Sequence, residues 1–133
     1  MTQEQGRTPL MTLKAAFEAE LTRRETERRA REEAEMQRQA EDLGRAEALE
    51  AALGQDPDFL AARDLTLERR RYTVTLDHAD YRIAAYFEDG RVSVTAADKR
   101  NATTSAAPRK QQFAESVEDA LLIMAQFLAD ETR

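Results

Sequence analysis

The chain contains no cysteine. Disulfides, thiolate nucleophiles and cysteine-ligated zinc are therefore excluded. It contains a single histidine, His78, so there is no second imidazole to complete a common zinc site. Its glycines, Gly6, Gly44, Gly54 and Gly90, are isolated and build no phosphate-cradling loop. There is no Gly-x-Ser-x-Gly and no nucleophile–base pair in the pattern of known hydrolases. No apolar run approaches the ~20 residues that a membrane-spanning helix needs. The opening residues, MTQEQGRTPLMTLKAAF, lack the basic-then-apolar order of a signal peptide. A cytoplasmic protein without catalytic residues, cofactor, metal, membrane contact or small-molecule substrate is the expectation. Aromatics make up only 6% of the chain and charged residues 35%. That is too little apolar material to wrap 133 residues into one compact sphere, so part of the chain should be extended and solvated on most sides.

What is present is charge, unevenly placed. Residues 1–65 carry 15 acids and 10 bases, residues 66–110 carry 6 and 9, and residues 111–133 carry 5 and 1. A basic middle thus sits within a protein of net charge −6. Arg outnumbers Lys 17 to 3 and Ala is abundant, a bias typical of GC-rich bacterial genomes.

Residues 8–53 read as one long helix, with a soft spot at Gly44 where the helix loses about 1 kcal/mol relative to Ala. Thr8 is placed to cap it and Pro9 to occupy its first position, where a missing N–H costs nothing. Leu10, Leu13, Phe17 and Leu21 recur at spacings of three and four, which is one apolar stripe. From Thr22 to Asp42 the stripe gives way to Glu, Arg, Gln and Ala. Pairs such as Glu25 with Arg29 and Arg28 with Glu32 each support a helix by roughly 0.2–0.5 kcal/mol. Glu32, Glu33 and Glu35 form a carboxylate cluster within this solvated, charged face. A second stripe follows at Leu43, Ala46, Leu49, Ala52 and Leu53, and Gly54 is suited to a C-terminal cap.

The two stripes are nearly symmetric about residue 32. In an antiparallel homodimer, Leu10, Leu13, Phe17 and Leu21 of one chain would lie on Leu43, Leu49 and Leu53 of the other. A parallel coiled coil is less well supported, because a heptad continued from Leu10 passes through Arg24, Glu27, Arg31 and Arg38. Docking of the first stripe on the chain's own module or on another protein is the remaining arrangement.

Asp56-Pro57 starts a short helix that ends near Asp64, with Phe59 and Leu60 as buried anchors. Thereafter the period changes from 3.6 to 2. Arg70, Tyr72, Val74 and Leu76 alternate with polar neighbours as one strand. Tyr81, Ile83, Ala85 and Phe87 form a second strand, and Val92, Val94 and Ala96 a third. Asp89-Gly90 is the signature of a two-residue type I′ turn between the last two. Residues 98–112 read as a loop. Ser116 caps a last helix whose apolar face is Val117, Ala120, Leu121, Met124, Phe127 and Leu128, with Phe113 just before it.

The expected fold class is α+β. A long N-terminal coiled-coil-like helix (residues 1–55) precedes a short helix and a three-stranded antiparallel meander packed on a C-terminal helix (residues 56–133). The order helix, three strands, helix is similar to that of double-stranded-RNA-binding domains, and βββα alone to sheet-in-groove DNA readers. The double-stranded-RNA family opens its last helix with a Lys-rich motif. Here that position reads Glu115-Ser116-Val117-Glu118-Asp119, so the likeness is one of topology.

Two functional readings follow. The first is a non-enzymatic interaction protein (adaptor, regulator or inhibitor) that dimerises or binds a partner protein through the long helix. The second is nucleic-acid binding by the open face of the sheet. Arg69, Arg71, Arg82, Tyr86 and Arg91 should project there, joined by Lys99, Arg100, Arg109 and Lys110 of the loop, with Tyr86 free to stack. His78, between Asp77 and Asp80, reads as a polar turn residue before it reads as a metal ligand or general base.

Overall fold

A computed structural model describes residues 11–100 and 108–132. The helix start at Thr8-Pro9 and the first stripe residue, Leu10, lie outside the described residues. The chain divides into two compact units, residues 1–36 and 37–133. The division falls inside the first helix, α1 (Leu13–Leu53), which runs unbroken through Gly44.

In the first unit the Thr12 hydroxyl accepts the Ala15 N–H at 3.1 Å, an N-cap geometry. The following turns are stapled by charge. Arg23 pairs with Glu20 and Glu27, Arg24 with Glu20, Arg28 with Glu25 and Glu32, and Arg29 with Glu25. Hydrogen bonds from Arg23 and Arg24 bring Glu20 down to about 2. The hydrogen bond from Arg28 likewise holds Glu25 below the ordinary carboxylate range. These pairs, with high-propensity residues, account for a helix with almost nothing buried.

The second unit begins with the C-terminal part of α1. There follow α2 (Pro57–Ala62), β1 (Thr66–Arg70), β2 (Thr73–Asp77), β3 (Tyr81–Glu88), β4 (Arg91–Asp98), β5 (Pro108–Ala114) and α3 (Val117–Glu131). The Asp56 carboxylate caps α2 by accepting the Phe59 N–H, and Ser116 caps α3 by accepting the Asp119 N–H, both as expected. The strands form one antiparallel sheet in sequence order, β1-β2-β3-β4-β5. The sheet therefore has five strands, not the expected three.

Both additions are edge strands. β1, Thr-Leu-Glu-Arg-Arg, and most of β5, Pro-Arg-Lys-Gln-Gln-Phe-Ala, are polar because an edge row of charged side chains and proline deters pairing with other chains. The single strand expected across residues 69–76 is in fact a hairpin. Arg70 stands opposite Thr73, with Arg71-Tyr72 as a two-residue turn and Arg71 at φ 52°. Asp89 (φ 52°) and Gly90 (φ 80°) form the expected I′-like turn between β3 and β4.

The turn at Arg71-Tyr72 also changes which way β1 faces. Leu67 lies opposite Leu76 and Arg69 opposite Val74, so Arg69 shares the covered face of the sheet. That face carries Val74, Leu76, Ile83, Ala85, Phe87, Val92, Val94 and Ala96. It packs on Ala120, Ile123, Met124, Phe127 and Leu128 of α3, and on Ala46 and Leu49 of α1. Phe59, expected to be buried, is 43% exposed, and Leu60 is half-buried.

Among the described residues of this unit the buried polar residue is Asp42. Its carboxylate accepts the N–H groups of Asp89 at 2.8 Å and Gly90 at 3.0 Å, and Arg45 lies 3.2 Å away. One helical acid thus satisfies two amides of the β3–β4 turn. At the other end, Glu50 of α1 accepts from Arg69 of β1 at 2.7 Å.

Two outcomes are expected. Asp42→Ala leaves both turn amides without their acceptor and should lower unfolding free energy by about 1–3 kcal/mol in urea titrations. Asp42→Asn, which keeps one acceptor oxygen, should lose less. Second, Glu20 and Glu25 titrate below their unfolded values near 4.3. The helix they staple is therefore supported above that pH and loses the support as pH falls towards their folded values. Carboxyl NMR titration should find both depressed, and 1 M salt should move them back towards 4.3, because the pairs are exposed.

Candidate functional site

The first apolar stripe lies open. Leu13 is 87% exposed, Phe17 59% and Leu21 51%. The second stripe does not. Leu49 is fully buried in the core of its own unit, and Leu43 and Leu53 are half-buried there. The second surface of the reciprocal antiparallel arrangement is thus largely packed within the chain's own unit. The physical reason is Asp42, one turn ahead of Ala46 and two ahead of Leu49, which fastens that part of the helix to the β3–β4 turn.

The basic residues are scattered or engaged. Arg69 is on the covered face, held by Glu50 and by Glu47 at 3.8 Å. Lys110 lies opposite Ala96, also on the covered face, and pairs with Asp130 of α3 at 2.6 Å. Arg109 pairs with Glu131. Arg100 pairs with Asp98, Glu131 and Asp80. Lys99 and Arg82 both pair with Asp77. Burial pushes Asp77 up, but the hydrogen bonds from Lys99 and Arg82 outweigh it and hold the carboxyl below its ordinary range.

The open face retains Tyr86, 42% exposed, and Phe113, 54% exposed, with the Arg91 guanidinium 4.6 Å from the Phe113 ring centroid. Arg71 stands over Tyr72 at 5.3 Å. Phe113 lies opposite Ser93 on β5, not in a prelude to the last helix.

His78 is half-buried and stacks on Tyr81, with ring centroids 4.5 Å apart and planes 7° apart. Its Nδ1 accepts the Asp80 N–H at 3.0 Å, which leaves Nε2 to carry the proton of the neutral ring. Tyr81 is only 4% exposed, yet its hydroxyl has no hydrogen-bond partner among the described residues. Burial raises its pKa, and the Glu131 carboxylate raises it further.

Two cavities with shared lining residues lie in this part of the unit. One, of about 600 Å³, lies between α2, α3 and the end of α1 and is lined mainly by apolar side chains, among them Leu53, Leu60, Leu121, Met124 and Leu128. The other, of about 540 Å³, is polar and includes His78, Asp80, Tyr81, Arg100 and Glu131. Phe59, Arg63 and Thr132 line both. Arg63 follows the last turn of α2, lies 5.5 Å over the Phe59 ring and has no acid within ion-pairing distance among the described residues.

Sequence reasoning passed over Asp42, Arg63 and Tyr81 as site residues. Asp42 had a signal: it is a lone acid on the same helical face as Ala46 and Leu49. Arg63 had none, since one arginine after a short helix is unremarkable in a chain with 17. Among the described residues no group of three or more His, Asp and Glu side chains converges to hold a metal ion, and no helix is long and apolar enough to cross a membrane. Comparison with protein-family models, with curated proteins and with solved structures finds no match.

Proposed function

We propose that this is a non-enzymatic interaction protein that associates through the N-terminal stripe of α1, with the second unit as its folded body. The observation that supports this reading is the contrast between the two stripes. One is buried at home and contributes to the core; the other, with the same helical spacing, shows Leu13, Phe17 and Leu21 to solvent. Apolar anchors at such spacing are what a helix presents to a partner helix or groove. The charged turns that follow keep the helix formed without a core, so the stripe is presented ready-folded and little ordering cost is added on binding.

Magnitudes set the expected strength. Each fully buried Leu or Phe contributes about 1.5–3 kcal/mol. Three per chain in a stripe-on-stripe homodimer give a gross gain of roughly 9–18 kcal/mol. The cost of association is about 4–15 kcal/mol. Such a dimer is weak and concentration-dependent. The nucleic-acid reading has less support, because Lys99, Arg100, Arg109 and Lys110 are each held by carboxylates and Arg69 is turned towards the helices.

Sedimentation equilibrium from tens to hundreds of micromolar tests the proposal. The wild type should exceed the 15.1 kDa monomer mass as concentration rises. Phe17→Asp should stay at monomer mass across the range while keeping its folded circular-dichroism spectrum. A wild type that remains monomeric throughout would remove self-association.

A further inference from the structure

The paired cavities of the second unit are more specific than a surface groove. The apolar one, at about 600 Å³, is within the size range of small-molecule sites. Around Phe59, Arg63 and Thr132, which line both cavities, three hydrogen-bond donors have no protein acceptor among the described residues. Tyr81 is 4% exposed, and its hydroxyl has no partner among the described residues. The exposed Arg63 guanidinium lies over the Phe59 ring and has no acid within ion-pairing distance among the described residues. The His78 Nε2–H is left over once Nδ1 has accepted from Asp80. A buried hydroxyl without a partner costs free energy unless something accepts from it. The acids of the polar cavity do not fill that role, since Glu131 is engaged by Arg100 and Arg109, and Asp80 lies within reach of Arg100.

We infer that this pair of cavities binds an amphipathic carboxylate, a medium-chain fatty acid, with its alkyl chain between α2 and α3 and its head at Arg63, Tyr81 and His78. Leu60, Leu121, Met124 and Leu128 supply the apolar lining. Arg63 supplies the charge, and as the residue shared by both cavities it stands where tail and head must meet. The surface this uses is separate from the α1 stripe, so the inference does not depend on the association reading.

Titration calorimetry with sodium decanoate below its micellar range tests it. One decanoate per chain is expected. Decanol, with the same tail and no charge, should bind at least ten-fold more weakly, and acetate should not bind. Arg63→Gln and Tyr81→Phe should each weaken decanoate about five-fold or more; the first is exposed and the second removes only a hydroxyl, so both should fold. Ala125→Phe, which places a ring at the apolar cavity from an exposed position, should abolish binding. Nuclear Overhauser contacts between decanoate methylenes and the Met124 methyl should appear in the wild type, independently of any variant. Absence of binding, several decanoates per chain, equal affinity for decanol, or undiminished binding to Ala125→Phe would each overturn the inference.

Discussion

The carboxylate of Asp42 is the contact on which the second unit's arrangement depends. A buried acid is costly unless its lone pairs are used, and here two backbone amides and one guanidinium use them. The two amides belong to a turn whose residues sit at positive φ, so the acceptor is matched to one backbone shape at one place along the sheet. A helix held only by Ala46 and Leu49 has alternatives a turn up or down. With Asp42 at one end and the Glu50–Arg69 pair at the other, a slip of one turn strands a buried charge. Apolar burial supplies the stability of this contact, and the polar groups select its register.

That register decides what the rest of the chain has to offer. The sheet is covered on one face only, and α3 alone spans β3, β4 and β5. The end of α1 completes the cover with Ala46 and Leu49. Among the described residues the stripe at Leu13, Phe17 and Leu21 has no buried acid to compare with Asp42. The same kind of apolar spacing therefore has two fates in one helix, separated by a charged stretch that holds its own shape through Arg–Glu pairs.

The central part of this fold was legible from the sequence, and its rims were not. Strands β3 and β4 are buried on one face, so Ile83, Phe87, Val92 and Val94 alternate cleanly with polar residues, and Asp89-Gly90 announces the turn between them. β1 and β5 are edges. Their charges protect them from pairing with other chains, and the same charges erase the alternation by which strands are recognised. Arg71-Tyr72 contains none of the residues that usually mark a two-residue turn. Reading through it assigned Arg69 to the wrong face, and with it part of the supposed basic surface. The bases of the 98–112 segment were counted correctly, but their partners are distant in sequence: Asp130 and Glu131 lie about twenty residues away from Arg109 and Lys110. Charge balance in space is invisible to a count along the chain.

The same distinction separates the two candidate surfaces. The helical stripe depends on local periodicity, which is why sequence alone exposed it. The paired cavities depend on residues from α1, α2, β2, β3 and α3 brought together by the fold, and no local pattern marks Arg63 or Tyr81. Their signal is Tyr81, a residue only 4% exposed whose hydroxyl has no partner among the described residues, beside Arg63, which like Arg71 and Arg91 lies over an aromatic ring without an acid partner. In the first unit Lys14, Arg23, Arg24, Arg28 and Arg29 each pair with glutamates about one turn away. Around the 98–112 segment nearly every base finds an acid across the sheet or on α3. An acceptor carrying an apolar tail would match both the Tyr81 and Arg63 donors and the apolar lining beside them.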